Sequence, residues 1–490
     1  MFVVGAGSLG AEIAAARLLA PYFGASTIIW ANTIATVLVS LSVGYWLGGR
    51  LADRRADLRG LCTVVMLAAV AMAIVPFVGD PFLKLSVNAL GSLSVGAFLG
   101  SLAAVLVLVA VPVVLLGTVA PYATRLSLQS LAETGRTAGN LYAISTIGSL
   151  VGTFAAALGL IPTIGTHRTF IVFALSLALV AAVGLGSWRV LVVPVAVAAT
   201  LAIPPAAVGA DVRGGRVVFE TETQYQYARV IQFRDGVRWL QLNEGVAIHS
   251  LYRPGSYLTG GYWDDFLVAP FATGARRPPG RIAILGDAAG TVARAYGHFY
   301  PATRVDAVEI DGELTAIGRR WFGLSGPRLH VYTADARPWL EASTARYDSI
   351  FLDAYRQPYI PFYLVTRQFF GLALRHLNPG GTLIINVGHI PGSGSLERVV
   401  TATVHSVFRY VARDRFSSSN SLVIASQRPV SASLLRSAAP GVPIELQGLL
   451  ASVANRTGPA LRGGSVFTDD WAPVEWLTDL AIVRYATGTR

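Results

Sequence analysis

Three acids stand where they could do chemistry together: Glu309, Asp335 and Asp353, each at the end of a short apolar run. The stretch that organises them is RIAILGDAAGTVARAYGHFYPATRVDAVEID, residues 281–311. Its apolar run Ile282 to Leu285 reads as a buried strand. A turn bearing Gly286, Asp287 and Gly290 follows, then a helical segment to about Tyr300 and a second strand, Val305 to Val308. Glu309 lies about twenty residues past the turn, where a carboxylate at a strand tip can accept both hydroxyls of a ribose. Glycines in such a turn let the backbone approach a nucleoside at a helix N-terminus. A lone acid at a strand end is commonly a helix cap or turn residue. Three at matching positions beside a glycine turn point to a nucleoside site, with Glu309 on the ribose, Asp335 on the adenine amino group and Asp353 facing the reacting atoms.

These residues need a sheet to hold them. Beyond Asp311 the pattern alternates: helix, strand Leu329 to Tyr332, helix, strand ending at Asp353, helix, then the strand Leu383 to Val387. Alternation of this kind predicts a doubly wound parallel sheet with ligands at its carboxyl edge. Upstream, residues 211–278 carry period-two patterning (RVVFETETQYQYARVIQF, then VRWLQLN) around an Arg234-Asp235-Gly236 turn, which predicts a small antiparallel sheet. Arg276-Arg277-Pro278-Pro279-Gly280 reads as the linker.

The 490-residue chain is 53% hydrophobic, and its charge is unevenly spread. Residues 1–210 hold ten Lys/Arg and five Asp/Glu; residues 211–490 hold twenty-nine and twenty-three. The first part reads as a multi-pass membrane domain (1–210), followed by the small sheet (211–278) and an α/β domain (279–490). Seven spans are expected: 2–20, 27–49, 61–79, 94–120, 139–162, 169–187 and 190–209. The first leads straight into the others, so it reads as a span and not as a cleavable signal. Gly44 with Gly48 and Gly148 with Gly152 mark close helix packing. The arginine-rich loop 50–59 belongs on the cytoplasmic side. Counting seven spans onward puts the α/β domain outside, whereas supply of a cytosolic nucleoside favours the cytoplasm. A re-entrant 80–93 or an interfacial 190–209 would reconcile the two. Glu12 inside the first span marks either a site or a neutralised buried contact.

Some classes are excluded or left open. Net charge is +11, yet no basic tract is interleaved with aromatics, which argues against nucleic-acid binding. The single Cys62 excludes an intrachain disulfide. His249, His298, His376 and His389 lack metal-ligand spacing, so no metal is expected.

The chain resembles the spermidine synthase (polyamine aminopropyltransferase) family in its membrane-fused bacterial form, with a domain reminiscent of major-facilitator transporters. The resemblance rests on AEIAAARLLAPYFGAS, GYWLGGRLADRR, Tyr225-Gln226, VEID, YDSIFLDAY, IPFYLVTRQFF and FTDDWAPVE. It implies an α-helical membrane domain fused to a Rossmann-like methyltransferase/spermidine synthase domain preceded by a β-sheet. The donor would be S-adenosylmethionine or its decarboxylated form, bound by Gln226, Gly286, Asp287, Gly290, Glu309 and Asp335. Asp353 matches the acid that deprotonates the attacking amine, while Tyr225, Tyr355 and Arg356 fall at acceptor positions. The expected partners are a small amine or amino-acid-like acceptor and the lipid bilayer, with a homodimer left open. Several positions depart from the family. Its ammonium-gripping acid falls on Ala289, with Asp287 two positions earlier as a substitute. Its second active-site acid falls on Arg356, which suits a carboxylate. Its Tyr-His-Glu turn becomes Tyr262-Trp263-Asp264. Thr468-Asp469-Asp470 and Glu475 would restore an amine site if folded over Asp353, or else form a capping run. Three functions follow: aminopropyl transfer, methyl transfer from intact S-adenosylmethionine, and nucleoside sensing or transport without chemistry.

Overall fold

The computed structural model describes residues 1–23, 27–54, 56–90, 96–128, 134–203, 212, 214–243, 247–356 and 359–487. The chain forms two compact units. One comprises Met1–Ala210 with Glu222–Tyr227, the other Asp211–Thr221 with Ala228–Arg490.

The first unit is helical: α1 (Phe2–Phe23), α2 (Thr27–Arg54), α3 (Leu58–Leu90), α4 (Gly96–Leu108), α5 (Ala110–Ser127), α6 (Thr134–Phe154), α7 (Ile161–Leu185) and α8 (Val192–Ala199). Small residues set its packing. Gly44 and Gly48 of α2 lie against the backbone of Gly117 and Thr118 in α5, and Gly148 and Gly152 of α6 against Phe2 and Ala6 in α1. A side chain at any of these four positions would meet neighbouring backbone, so glycine permits the close approach.

The seven expected spans compare with the helices as follows. Among the described residues five helical runs are long and apolar enough to cross a membrane. Two of the seven, 139–162 and 169–187, lie in one continuous 52-residue run, Thr134–Leu185. At 1.5 Å per residue such a run measures about 78 Å against a hydrocarbon core of ~30 Å. It is interrupted at Gly165, whose φ of +83° and ψ of 168° leave helical geometry. The expected span 94–120 is divided at Val109 between α4 and α5. The part of the expected span 190–209 that is described falls in the shorter apolar stretch Trp188–Ala202; 204–209 lie outside the described residues. The re-entrant piece at 80–93 is instead the end of α3 as far as Leu90, continuing through Pro76 and Pro81; 91–93 lie outside the described residues.

The second unit begins with a four-stranded sheet in the order β1 (Gly215–Glu222), β2 (Tyr227–Phe233), β3 (Arg238–Leu242), β4 (Ile248–Tyr252). The β2–β3 hairpin turns at Arg234-Asp235-Gly236, where Gly236 has φ of +80° and Asp235 accepts the Val237 N–H at 3.0 Å. Eight further strands follow: β5 (Arg281–Leu285), β6 (Arg304–Glu309), β7 (Leu329–Thr333), β8 (Tyr347–Leu352), β9 (Leu377–Gly388), β10 (Tyr410–Asp414), β11 (Asn420–Ser426) and β12 (Thr457–Pro459). They form one sheet in the order β12-β10-β11-β9-β8-β5-β6-β7. β7, β6, β5, β8 and β9 run parallel, while β11 pairs antiparallel with both β9 and β10.

The parallel strands read as continuous apolar runs because both sheet faces are covered. Ile282, Ile284, Phe351 and Ile384 pack with Phe266, Tyr296 and Leu450 on one face. Ala283, Leu285, Ile350 and Ile385 pack with Phe369, Phe370 and Val400 on the other. Register then fixes the site. Leu285 pairs with Val308 on one side and Leu352 on the other. The residues just beyond these three therefore emerge together at the carboxyl edge, on either side of the point where strand order reverses.

Candidate active site

The turn after β5 is shaped by sterics. Gly286 has φ of +90°, and a Cβ there would lie 2.5 Å from the Ala354 Cα. Only glycine lets the ends of β5 and β8 approach so closely. The turn is tied down by the Gly286 N–H to the Val308 carbonyl (2.9 Å) and by the Asp353 N–H to the Leu285 carbonyl (2.9 Å). Gly290, with φ of +87°, precedes the helix Thr291–Phe299. From above, β4 clamps the turn: the Ala289 N–H donates to Ser250 Oγ and the Leu251 N–H to Thr291 Oγ1, both at 3.0 Å.

Ala288 sits in this turn at φ +48°, a left-handed conformation that a Cβ disfavours. Ala288→Gly should therefore raise the thermal midpoint of the full chain, with a gain of about 1 kcal/mol or less after glycine's extra unfolded-state freedom is subtracted. A lowered midpoint would show that the alanine methyl contributes packing that outweighs the strain.

A small cavity of about 30 Å³ opens at this edge, lined by His249, Tyr262, Trp263, Gly286, Asp287, Ala288, Thr291, Val292, Asp353 and Tyr355. Asp353 is surrounded by neutral donors. Asn386 Nδ2 reaches its Oδ1 at 2.8 Å, and the Tyr262 hydroxyl lies 3.2 and 3.1 Å from its two oxygens. Burial pushes the Asp353 carboxyl up to about 7, against the pull of Asn386, Tyr262 and Trp263. Asn386 is oriented in turn by Asn420, whose Nδ2 donates to the Asn386 Oδ1 at 3.0 Å. The Tyr355 hydroxyl donates to the Asn386 carbonyl (3.0 Å) and accepts the Gly388 N–H (2.6 Å). A three-strand relay from β11 through β9 to the end of β8 thus fixes Asp353.

Glu309 is buried beneath the turn and accepts the Ala288 and Asp311 N–H groups, each at 2.9 Å. Burial raises its carboxyl to about 7 despite those two bonds. Asp287 sits within the field of both acids. Burial, then Glu309, then Asp353 hold it well above the ordinary carboxylate range, and the Ala293 N–H pulls it the other way. That N–H faces Asp287 without reaching hydrogen-bond geometry, and neither Asp287 oxygen has a donor. Asp287 thus shares one cluster with the carboxyl groups of Glu309 and Asp353, both of which act on it. Each has a folded pKa raised above its unfolded value. The stability tied to their protons is therefore complete below the ordinary carboxylate range near 4 and is lost as pH rises through about 7 for Glu309 and Asp353.

The other expected site residues are not among those that line this cavity. Asp335 accepts the Arg337 N–H at 3.1 Å, capping the helix Ala336–Ala342, and its second oxygen takes the Tyr363 hydroxyl at 2.7 Å. Arg356 is exposed and pairs through its backbone with Tyr359, outside the cavity lining. Tyr225 and Gln226 belong to the segment Glu222–Tyr227, which groups with the helical unit. Asp469 pairs with Arg337 at 2.6 Å and accepts from Thr366 Oγ1 at 2.7 Å, a structural engagement away from the cavity lining. Asp264 accepts the Thr259 and Gly260 N–H groups and so shapes the turn that presents Tyr262 and Trp263.

Three residues of the cavity region were not singled out as ligands or catalysts from sequence: His249, Trp263 and Asn386. Asn386 left a trace, being an amide that interrupts the apolar run of β9 near its carboxyl end. Among the described residues no cluster of three metal-ligating side chains occurs.

A doubly wound sheet with a glycine turn and acids at adjacent strand ends defines a Rossmann-like unit. No family model matches the chain. Among curated proteins it is similar to a probable polyamine aminopropyl transferase of Bifidobacterium longum, 35% identical over 194 residues, covering 39% of this chain and 42% of that one. It is also 34% identical over 134 residues to a polyamine aminopropyltransferase of Vibrio vulnificus, covering 26% of this chain and 44% of that one. The chain thus spans less than half the length of each of these two relatives. A crystal structure of a probable spermidine synthase from Corynebacterium glutamicum aligns with 51% of this chain and 98% of its own, at 23% identity and a TM-score of 0.39. The resemblance to polyamine aminopropyltransferases read from the sequence motifs is thus shared by the curated relatives.

Proposed function

We propose that the second unit transfers an aminopropyl group from an adenosyl sulfonium donor, decarboxylated S-adenosylmethionine, to a small amine, and that the helical unit carries it on a membrane. The observation that supports this most is the make-up of the cavity. Asp287 and Asp353 line it, Glu309 acts on Asp287, and no Lys or Arg is among the residues described as lining it. Carboxyls whose protons are held by burial and by one another ionise more readily beside a cation, so such a site favours cationic reactants. In this reading the glycine turn and Glu309 hold the nucleoside, with the ribose hydroxyls on Glu309. Asp353 removes a proton from the acceptor nitrogen as the C–N bond forms and the C–S bond breaks, its electron pair leaving on sulfur as a neutral thioether. The nucleoside product is methylthioadenosine.

A base must be ionised to act, so kcat/KM should rise with pH through the Asp353 transition near 7 and level off above it. Asn386→Leu removes a donor to the carboxylate, which should move that acid limb to higher pH. An unmoved limb would separate Asp353 from the pH dependence.

One observation favours a second reading, methyl transfer from intact S-adenosylmethionine. Ala289, where the family places the acid for the donor's ammonium, is buried and apolar. Product analysis separates the readings. Methylthioadenosine supports aminopropyl transfer, S-adenosylhomocysteine supports methyl transfer, and neither product supports a nucleoside-binding sensor.

A further inference from the structure

Another cavity opens at the amino ends of the parallel strands. Arg281, Arg304 and Tyr347 are the first residues of β5, β6 and β8, and with Arg346, Tyr332 and Trp339 they line a space of about 800 Å³. Asp353 lies beyond the far end of β8 from Tyr347, roughly 20 Å along the strand at 3.3 Å per residue. The two cavities share no lining residue.

One buried carboxylate serves two of the three guanidinium groups. Asp306 is fully buried, and its Oδ2 takes Arg281 Nε and Nη2 at 2.8 and 2.6 Å and the Tyr347 hydroxyl at 3.2 Å. Its Oδ1 takes Arg304 Nε at 3.2 Å, and the Tyr332 hydroxyl also acts on Arg304. Arg346 Nη1 donates to the Leu377 carbonyl at 3.1 Å, a neutral acceptor. Asp348, next along β8, is taken up by the Gly280 and Arg281 N–H groups and by Asn378. No Asp or Glu is among the residues described as lining the cavity. Three positive charges thus face one negative charge, and arginine cannot shed its proton to relieve the excess. Pairing with Asp306 accounts for only part of this arrangement.

The wall beside these charges is aromatic. The Trp339 ring centroid lies 5.1 Å from that of Tyr332 and 6.4 Å from that of Tyr347, and the Arg281 guanidinium sits 5.1 Å over the Tyr347 ring. Tyr332 and Trp339 are half-buried, so part of each ring stays open to a ligand. Guanidinium forks match the paired oxygens of a phosphate, and aromatic rings match the flat face of a base. A bare anion leaves the rings unused, and a neutral ring leaves the charge unanswered. The volume lies within the usual range for small-molecule sites.

We propose that this cavity binds a nucleoside phosphate, its phosphate oxygens on Arg281, Arg304 and Arg346 and its base against Trp339 and Tyr332. The site is independent of the chemistry proposed at Asp353. It shares two strands with that chemistry, since β5 and β8 begin here and lead to Gly286 and Asp353.

The test is calorimetry on the full chain in nanodiscs of zwitterionic lipid, with ATP, GTP, UTP and inorganic tripolyphosphate as probes. Each titration is run without and with excess methylthioadenosine. At least one nucleotide should bind about tenfold or more tighter than tripolyphosphate, the margin expected from stacking of a base. Methylthioadenosine should change that affinity by less than about twofold. Arg346→Gln leaves every bond to Asp306 in place and should weaken the nucleotide about fivefold or more, with a thermal midpoint near that of the unsubstituted chain. Arg304→Gln, which leaves Arg281 and Tyr347 on Asp306, should do the same. Trp339→Leu should bring the nucleotide down to the affinity of tripolyphosphate; should that variant fail to fold, the tripolyphosphate comparison on the unsubstituted protein reads the ring contact instead. Binding of none of the three nucleotides would overturn the proposal. So would tripolyphosphate binding as tightly as the nucleotides, unchanged affinity in both arginine variants, or displacement of the nucleotide by methylthioadenosine.

Discussion

Asp353→Asn should lower turnover by about 10²–10⁴-fold while leaving affinity for the adenosyl donor nearly unchanged. The substitution keeps the shape of the side chain and takes away its capacity to accept a proton. Asn386, Tyr262 and Trp263 all donate toward Asp353, so the replacement amide must turn its oxygen to them and its NH₂ group into conflict with at least one. The cost should appear in kcat more than in donor binding, because in the proposed reading Glu309 and the glycine turn hold the nucleoside. Single-turnover kinetics with saturating donor is the measurement. Turnover within a factor of a few of the unsubstituted enzyme would remove Asp353 from the base role.

Glu309→Ala should weaken nucleoside binding by about 1–3 kcal/mol, the loss expected for hydrogen bonds to a charged group. Two opposing effects bear on this figure. The substitution removes the ribose acceptor, and it also frees the Ala288 and Asp311 N–H groups that Glu309 now satisfies. The second effect loosens the turn and adds to the loss. Glu309→Gln separates them, since its amide retains one acceptor for those N–H groups. Calorimetry with methylthioadenosine should rank the unsubstituted protein above Glu309→Gln and Glu309→Ala last. Equal affinity in all three would refute the ribose assignment.

The carboxyl edge was legible because strand registry obeys local rules. Apolar runs in β5, β6 and β8, separated by helices of ordinary length, leave little freedom in where Gly286, Glu309 and Asp353 emerge. Asp335 matches the others in its place after β7, and its oxygens cap a helix and accept a tyrosine hydroxyl. A strand-end acid looks the same in sequence whether it faces a ligand or the next helix. Asn386, Trp263 and His249 were hidden for a different reason. Each owes its position to long-range pairing: Asn386 to β9 lying beside β8, Trp263 to the turn shaped by Asp264, His249 to β4 folding over the glycine turn. In the helical unit, hydropathy reports composition and not where a helix breaks. Thr134–Leu185 is one long apolar run by hydropathy and is interrupted at Gly165, whose backbone conformation no hydropathy window sees.

The central claim is that a single small molecule spans the two acids, its sugar on Glu309 and its sulfur turned toward Asp353. A structure of the full chain bound to methylthioadenosine tests it most directly. The account predicts both ribose hydroxyls within hydrogen-bond distance of Glu309 and the thioether in the cavity beside Asp353. A nucleoside seated elsewhere, or one whose sulfur points away from Asp353 into a separate pocket, would contradict it.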